Sequence, residues 1–284
     1  MSQANQKIRM LLDNAINDAT LTLVTGTELL FLGLDNLKKY SNSHIFRTET
    51  TDEIVINGTF NGLKSVSGLV MHRHNLSATA KWRVEVFSGD HQNGEVLLDT
   101  GLIDVFETKL LGDLDFGIDD LVEAINDEWE VRYKPLWFAQ VVAWSFKITI
   151  QDPDNAKGYI DIARLYFGQL FEPTVNFSLG SINQVDADEE LIRTKGASLH
   201  TVKKSKQFRR FSWQFKYLPI DDRAAFYDAI YQGTSANDWF VSLYPGTGGK
   251  HEHHHAMACK FKTLPPFKHN LDLNWQASVV VEEC

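Results

Sequence analysis

Alternation of apolar and polar side chains marks out most of the architecture of this chain. From Lys81 to Phe87, Trp82, Val84 and Val86 alternate with Lys81, Arg83 and Glu85, the period-2 pattern of a half-buried strand. Val66–Met71 is apolar at nearly every position and predicts a deeper strand. Val141–Ile150 is the strongest strand signal, with Val142, Trp144, Phe146, Ile148 and Ile150 on one face. Shorter strands are predicted over 53–60, 95–98 and 159–167. The second half repeats the alternation at Phe211, Trp213, Phe215 and Tyr217, and again from Leu271 through Leu273, Trp275, Ala277, Val279 and Val281. Trp239–Tyr244 predicts a short apolar strand.

Helical spacing is rarer. Ile118, Leu121, Val122, Ile125 and Trp129 recur with a helical period inside the acidic stretch 104–130. Pro219, Asp221 and Asp222 predict a helix start, Phe226, Ala229 and Ile230 its buried stripe, and Gly233 its stop. Asp152-Pro153-Asp154-Asn155 with Gly158 predicts a turn. The fold class expected is mainly β: a jelly-roll sandwich over 1–170, then a smaller β-barrel-like domain with one helix over 171–284, joined near Gly168–Pro173.

Charge sharpens the division. Residues 1–170 carry 15 Lys+Arg against 24 Asp+Glu, whereas 171–284 carry 13 of each. An acidic module followed by a neutral one lacks the basic face of a nucleic-acid binder, so no nucleic-acid partner is expected. Two cysteines, Cys259 and Cys284, make no disulfide framework and fit a reducing compartment. No apolar run is long enough to span a bilayer, so no membrane insertion is expected.

The order of strands over 8–170 resembles the discoidin-type, galactose-binding-like jelly roll. The likeness rests on Val66–Met71 running into His72-Arg73-His74-Asn75-Leu76-Ser77, on Trp82–Phe87, and on Trp144–Ile150 followed by Gly158–Leu165. The whole chain is similar to a family of tailed-bacteriophage and prophage virion proteins, in which such a module precedes a small tail-protein β domain. Phe211–Leu218, the Asp221-Asp222-Arg223 helix, Trp239–Pro245 and Trp275–Glu283 carry that likeness. It implies a structural component of a tail tip or baseplate, placed in the virion and assembled in the bacterial cytoplasm. Its partners would be other copies in a ring, other tail proteins and host surface glycan. The alternative is a stand-alone lectin-like carbohydrate-binding protein.

Candidate chemistry is thin. His72, Arg73, His74 and Asn75 lie where a sandwich loop is expected; they read as ligand-binding groups, or as a structural pair of rings capping the strand ends. His251, His253 and His255 could point one way on an extended segment and bind a transition metal. They follow a glycine-rich stretch and lack a second ligand set, so a solvated loop or inter-subunit contact is the favoured reading and no metal or other cofactor is expected. Asp113, Asp115, Asp119 and Asp120 do not match a calcium-binding helix–loop–helix spacing. No nucleophile elbow, phosphate loop, zinc-protease or dinucleotide motif is present. Cys259, within an alternating segment, reads as a packed thiol. The chain is therefore expected not to be an enzyme.

Overall fold

The computed structural model describes residues 7–39, 41, 43–106, 131–204, 206–233, 237–246, 249–271 and 273–284. The expected helix at 118–129 and the aspartates at 113–120 lie outside these residues. The protein is mainly β. It divides into two compact units, one formed by residues 10–171 with 246–254, the other by 7–9, 172–245 and 255–284. The histidine segment up to His254 thus belongs with the first unit rather than the second.

The first unit is a sandwich built around two long strands, β4 (Ile54–His74) and β8 (Tyr133–Gln151). Their first and last halves do different work. Ile54–Thr59 pairs with β2 (Thr20–Thr25) on one side and with Ile150–Ser145 on the other. That end of β8 also pairs with β5 (Lys81–Phe87), which pairs in turn with β6 (Val96–Asp99) and β7 (Ile103–Asp104). Beyond the register shift at Thr59/Lys64, the later half of β4 pairs with Ala143–Tyr133 and with β9 (Asp161–Gly168), itself paired to β3 (Phe46–Arg47). Met10 and Leu11 of β1 (Arg9–Leu11) pair with β10 (Leu170–Phe171).

The two long strands therefore pass from one layer to the other at a corner near 59–64 and 143–145. This explains two departures from the sequence reading. The strands expected at 53–60 and 66–71 are one continuous strand, and the alternation of β8 does not hold throughout. Phe146, Ile148 and Ile150 are buried as expected, but across the corner Ala143 is buried and Val142 is 55% exposed. A bulge at the bend flips the faces. Pro135, in the outer part of β8, pairs with Val70 on its inner side; a residue without an N–H is tolerated on such an edge.

Between the layers Trp82, Phe146 and Phe167 are fully buried, with Phe60 beside them. Phe146 lies 5.1 Å from Phe60 and 5.0 Å from Phe167, centroid to centroid. Gly58 makes room for this stack: a Cβ there would sit 2.1 Å from Phe146 Cζ.

In the second unit the sheet runs β15 (Trp239–Ser242), β16 (Ala256–Thr263), β18 (Asn274–Glu283), β14 (Phe208–Pro219), β11 (Ile182–Asp186), with β17 (Phe267–Leu271) also on β18. Phe211, Trp213, Phe215, Ala277, Val279 and Val281 are buried, as their alternation predicts. Helix α1 (Ile220–Gly233) starts where Pro219 and the two aspartates place it, and docks Phe226 against Phe215 and Phe267. The alternation through Leu271 and Leu273 is interrupted by a tight turn between β17 and β18: Leu273 has φ +63 and is 64% exposed. Cys259 is fully buried in β16, and burial pushes its thiol well above the usual range; a buried thiol in that state is not a nucleophile. A separate two-stranded sheet, β12 (Glu189–Arg193) with β13 (Leu199–Lys203), follows on from the β11–β14 pair.

Candidate functional site

Strand directions gather several loops at one end of the sandwich. β2 ends there at Thr25, β4 starts at Ile54 and finishes at His74, β5 starts at Lys81, β8 ends at Gln151 and β9 starts at Asp161. The connections 26–53, 75–80 and 152–160 therefore share this end.

Buried and half-buried polar groups tie them together. Asp152, fully buried, accepts from the Ser77 amide at 2.9 Å, from the Ser77 hydroxyl, and from Asn155 Nδ2 at 2.8 Å. Asn75 Nδ2 donates to Tyr159 O at 2.9 Å while its Oδ1 accepts from the Asp161 amide at 2.8 Å. Thr48 Oγ1 accepts from the Ile160 amide at 3.0 Å. A buried carboxylate or amide with its bonding capacity used is a strong, geometry-specific link.

On this platform sits a polar–aromatic cluster. Arg47 and Asp161 are directly opposed across β3 and β9, and opposed residues present their side chains on one face. The guanidinium donates from Nε and Nη2 to the two carboxylate oxygens, both at 2.7 Å. Its Cζ lies 4.1 Å from the Tyr159 ring centroid. The side chains remain accessible, Arg47 at 28% and Asp161 at 16%. The hydrogen bonds that the guanidinium donates to Asp161 raise the Arg47 pKa above its ordinary value. Arg47 also exchanges backbone bonds with the neighbouring loop, accepting from Leu29 and donating to Leu32. At the tip of that turn Phe31 holds φ +70 and is 90% exposed, and Leu30 is 75% exposed.

Of the residues singled out from sequence, Asn75 belongs to this platform and the others lie apart from the cluster. His72 and His74 are within β4, not in a loop, and are 4% and 5% exposed. The His72 ring packs edge-on to Tyr166 and the His74 ring against Phe106. Burial, with Arg132 and Lys134 nearby, lowers the His74 pKa to about 3. Arg73, half-buried at φ +52, donates its amide to Arg132 O. Asn75 is the clamp already described. His72, Arg73 and His74 thus stand in the strand, which continues past the point where its apolar run stops, and Asn75 opens the connection that follows.

The histidine tract also takes another form. Residues Gly249–His254 make a short helix, α2, so His251 and His253 do not alternate on an extended strand. The His253 ring stacks on Tyr133 with planes 9° apart, and Tyr133 Oη donates to Glu252 O at 3.0 Å. In the second unit His255 packs edge-on to Tyr244 and its carbonyl accepts from the Leu243 amide. Among the described residues no group of three or more His, Cys, Asp or Glu side chains could hold a metal ion.

No protein-family model matches the chain, and no curated protein sequence matches it. Among solved structures, a chitosan-binding module from a chitosanase/glucanase of Paenibacillus sp. IK-5 aligns over 55% of this chain and 98% of its own, at 9% identity and TM-score 0.37. The family 32 carbohydrate-binding module of C. perfringens NanJ, solved with galactose, aligns over 56% and 98% at 12% identity and TM-score 0.37. A further Clostridium perfringens module, solved with GalNAc-β-1,3-galactose, aligns over 55% and 99% at 13% identity and TM-score 0.36. Likeness at this level says nothing about what this chain binds.

Sequence reasoning missed Arg47, Tyr159 and Phe31. Arg47 and Asp161 are 114 residues apart; Asp161 lies in the stretch Gly158–Leu165 that carries the jelly-roll likeness, but nothing in that stretch points to Arg47. The one local signal is the apolar pair Ile45-Phe46, which closes a polar stretch and leads into the two-residue strand β3.

Proposed function

We propose that this chain is a non-catalytic carbohydrate-binding protein whose sandwich unit takes a saccharide at the loop end, on Arg47, Tyr159 and Asp161. The observation that carries this reading is the locked Arg47–Asp161 pair lying against the Tyr159 ring on loops fixed from below. Saccharide recognition needs an apolar face for the C–H side of a pyranose and fixed donors and acceptors for its hydroxyls. Tyr159 and the exposed Phe31 supply aromatic surface; the guanidinium and the carboxylate supply the directional groups. A site whose side chains are already paired loses little entropy on binding.

A second reading, a structural component of a phage-like tail or baseplate that assembles through the second unit, is favoured by one specific feature. Among the described residues strand β11 ends its sheet with no strand on its outer side, and it carries Ile182 and Val185, 54% and 63% exposed. Open apolar edges are usually covered by a partner. The two readings are compatible, since a particle component can carry a glycan-binding module.

Glycan-array screening of the full chain, followed by calorimetry on any hit, tests the first reading. Arg47→Ala is expected to weaken binding by about tenfold or more, the loss of a preorganised hot-spot arginine. Binding unchanged in Arg47→Ala, or no glycan bound by the wild type, rejects it.

A further inference from the structure

The β12–β13 hairpin is an anomaly in an otherwise packed unit. It continues the β11–β14 pair, with Glu189 to Arg193 opposite Lys203 to Leu199 and the Lys204 amide donating to Asp188 O at 2.8 Å. Every residue of both strands is exposed. At about 3.4 Å per residue, the arm is on the order of 17 Å long. A two-stranded ribbon alone is marginal in water, yet this one carries apolar side chains on both faces. Leu191 and Leu199 lie on one face, 63% and 54% exposed; Ile192 and Val202 lie on the other, 46% and 45% exposed. Among the described residues no strand pairs the outer edge of either β12 or β13.

Charge is sorted between the two edges. The β11–β12 side contains Asp186, Asp188, Glu189 and Glu190, with Arg193 at its far end; the β13 side contains Lys203, Lys204 and Lys206, and Asp186 already meets Arg210 of the same copy at 2.8 Å. Within one copy Lys204 meets Glu190 at 3.2 Å, with both side chains about half exposed, so each remains open to a second partner. One edge is acidic and the opposite edge basic, and neither is paired to a further strand among the described residues.

We propose that the arm is a self-association element: the basic β13 edge of one copy pairs, strand to strand, with the acidic β11–β12 edge of a second copy. The occupant is another copy of this chain because the complement to each edge is present on the same arm. The contact joins two different surfaces, so it is head-to-tail and repeats from copy to copy, closing into a ring if the rotation allows. Exposed apolar side chains at the middle of the arm become covered by their counterparts, and edge backbone groups find partners. This rests on the assembly reading above and is independent of glycan binding.

Sedimentation velocity on the full chain tests it. The wild type is expected to show mass rising with concentration and falling as salt screens the edges. Glu189→Lys with Glu190→Lys, or Lys203→Glu with Lys204→Glu, is expected to shift the protein to monomer; mixing the two variants restores association, since each then offers the edge the other needs. Replacing 189–203 by two glycines gives monomer. A wild type that stays monomeric at the highest concentration reached overturns both this proposal and the assembly reading. Association that survives removal of the arm, or a mixture that fails to associate, overturns the arm proposal and leaves the assembly reading standing.

Discussion

Gly58 lies under Phe146 at the point where two sheets meet, and the smallest side chain decides whether they can. A Cβ there would come within 2.1 Å of Phe146 Cζ, so Gly58→Ala forces the ring out of the aromatic stack with Phe60 and Phe167. Overpacking of this kind costs about 1–3 kcal/mol, and denaturant unfolding should show a lower midpoint with the slope unchanged. His74 makes a prediction about pH. Its imidazole is kept neutral, with the pKa lowered to about 3, first by burial and then by Arg132 and Lys134. In the unfolded chain it takes a proton near pH 6.5. The stability tied to the neutral ring is complete above that value. It is lost as pH falls from there toward 3, because the unfolded chain then binds a proton the folded chain does not, at up to about 1.4 kcal/mol per pH unit. His74→Phe keeps a ring against Phe106 and removes the proton. Unfolding midpoints across this window should therefore fall less steeply for the variant; parallel slopes would contradict the assignment.

At the scale of elements, the loop end depends on side chains that replace missing strand bonds. Asn75 joins Tyr159 and Asp161 as a strand residue would, through its amide group. Asn75→Ala leaves a carbonyl and an amide without that partner, at a cost of about 1–3 kcal/mol. Hydrogen exchange should quicken at Tyr159–Asp161 and leave the centre of β4 unchanged. Strands were the legible part of this sequence, for a physical reason. Trp82, Val84 and Val86, or Phe211, Trp213 and Phe215, reveal their inward face by periodicity alone, since one face meets a core and the other meets water. The bend in β4 and β8 was not legible: a bulge flips the faces without altering composition, and Val142 reads as buried until the corner is seen. His72 and His74 looked like loop residues because they are polar; in fact they end a buried strand and pack against Tyr166 and Phe106. The Arg47–Asp161 cluster has no local signature, because it is created by pairing across 114 residues.

At the scale of the molecule, the two proposals divide between the two β units: saccharide binding at the loop end of the sandwich, and association through the arm of the sheet-and-helix unit. The central claim is that saccharide binding happens on Arg47, Tyr159 and Asp161, over loops that do not move to receive it. Hydrogen exchange of the full chain, with and without a saturating saccharide from the array, tests this most directly. Added protection is expected only in residues 44–52, 75–80 and 152–161, and none is expected in Tyr159→Ala at the same saccharide concentration. Protection elsewhere in the sandwich, or protection that persists in Tyr159→Ala, would contradict it.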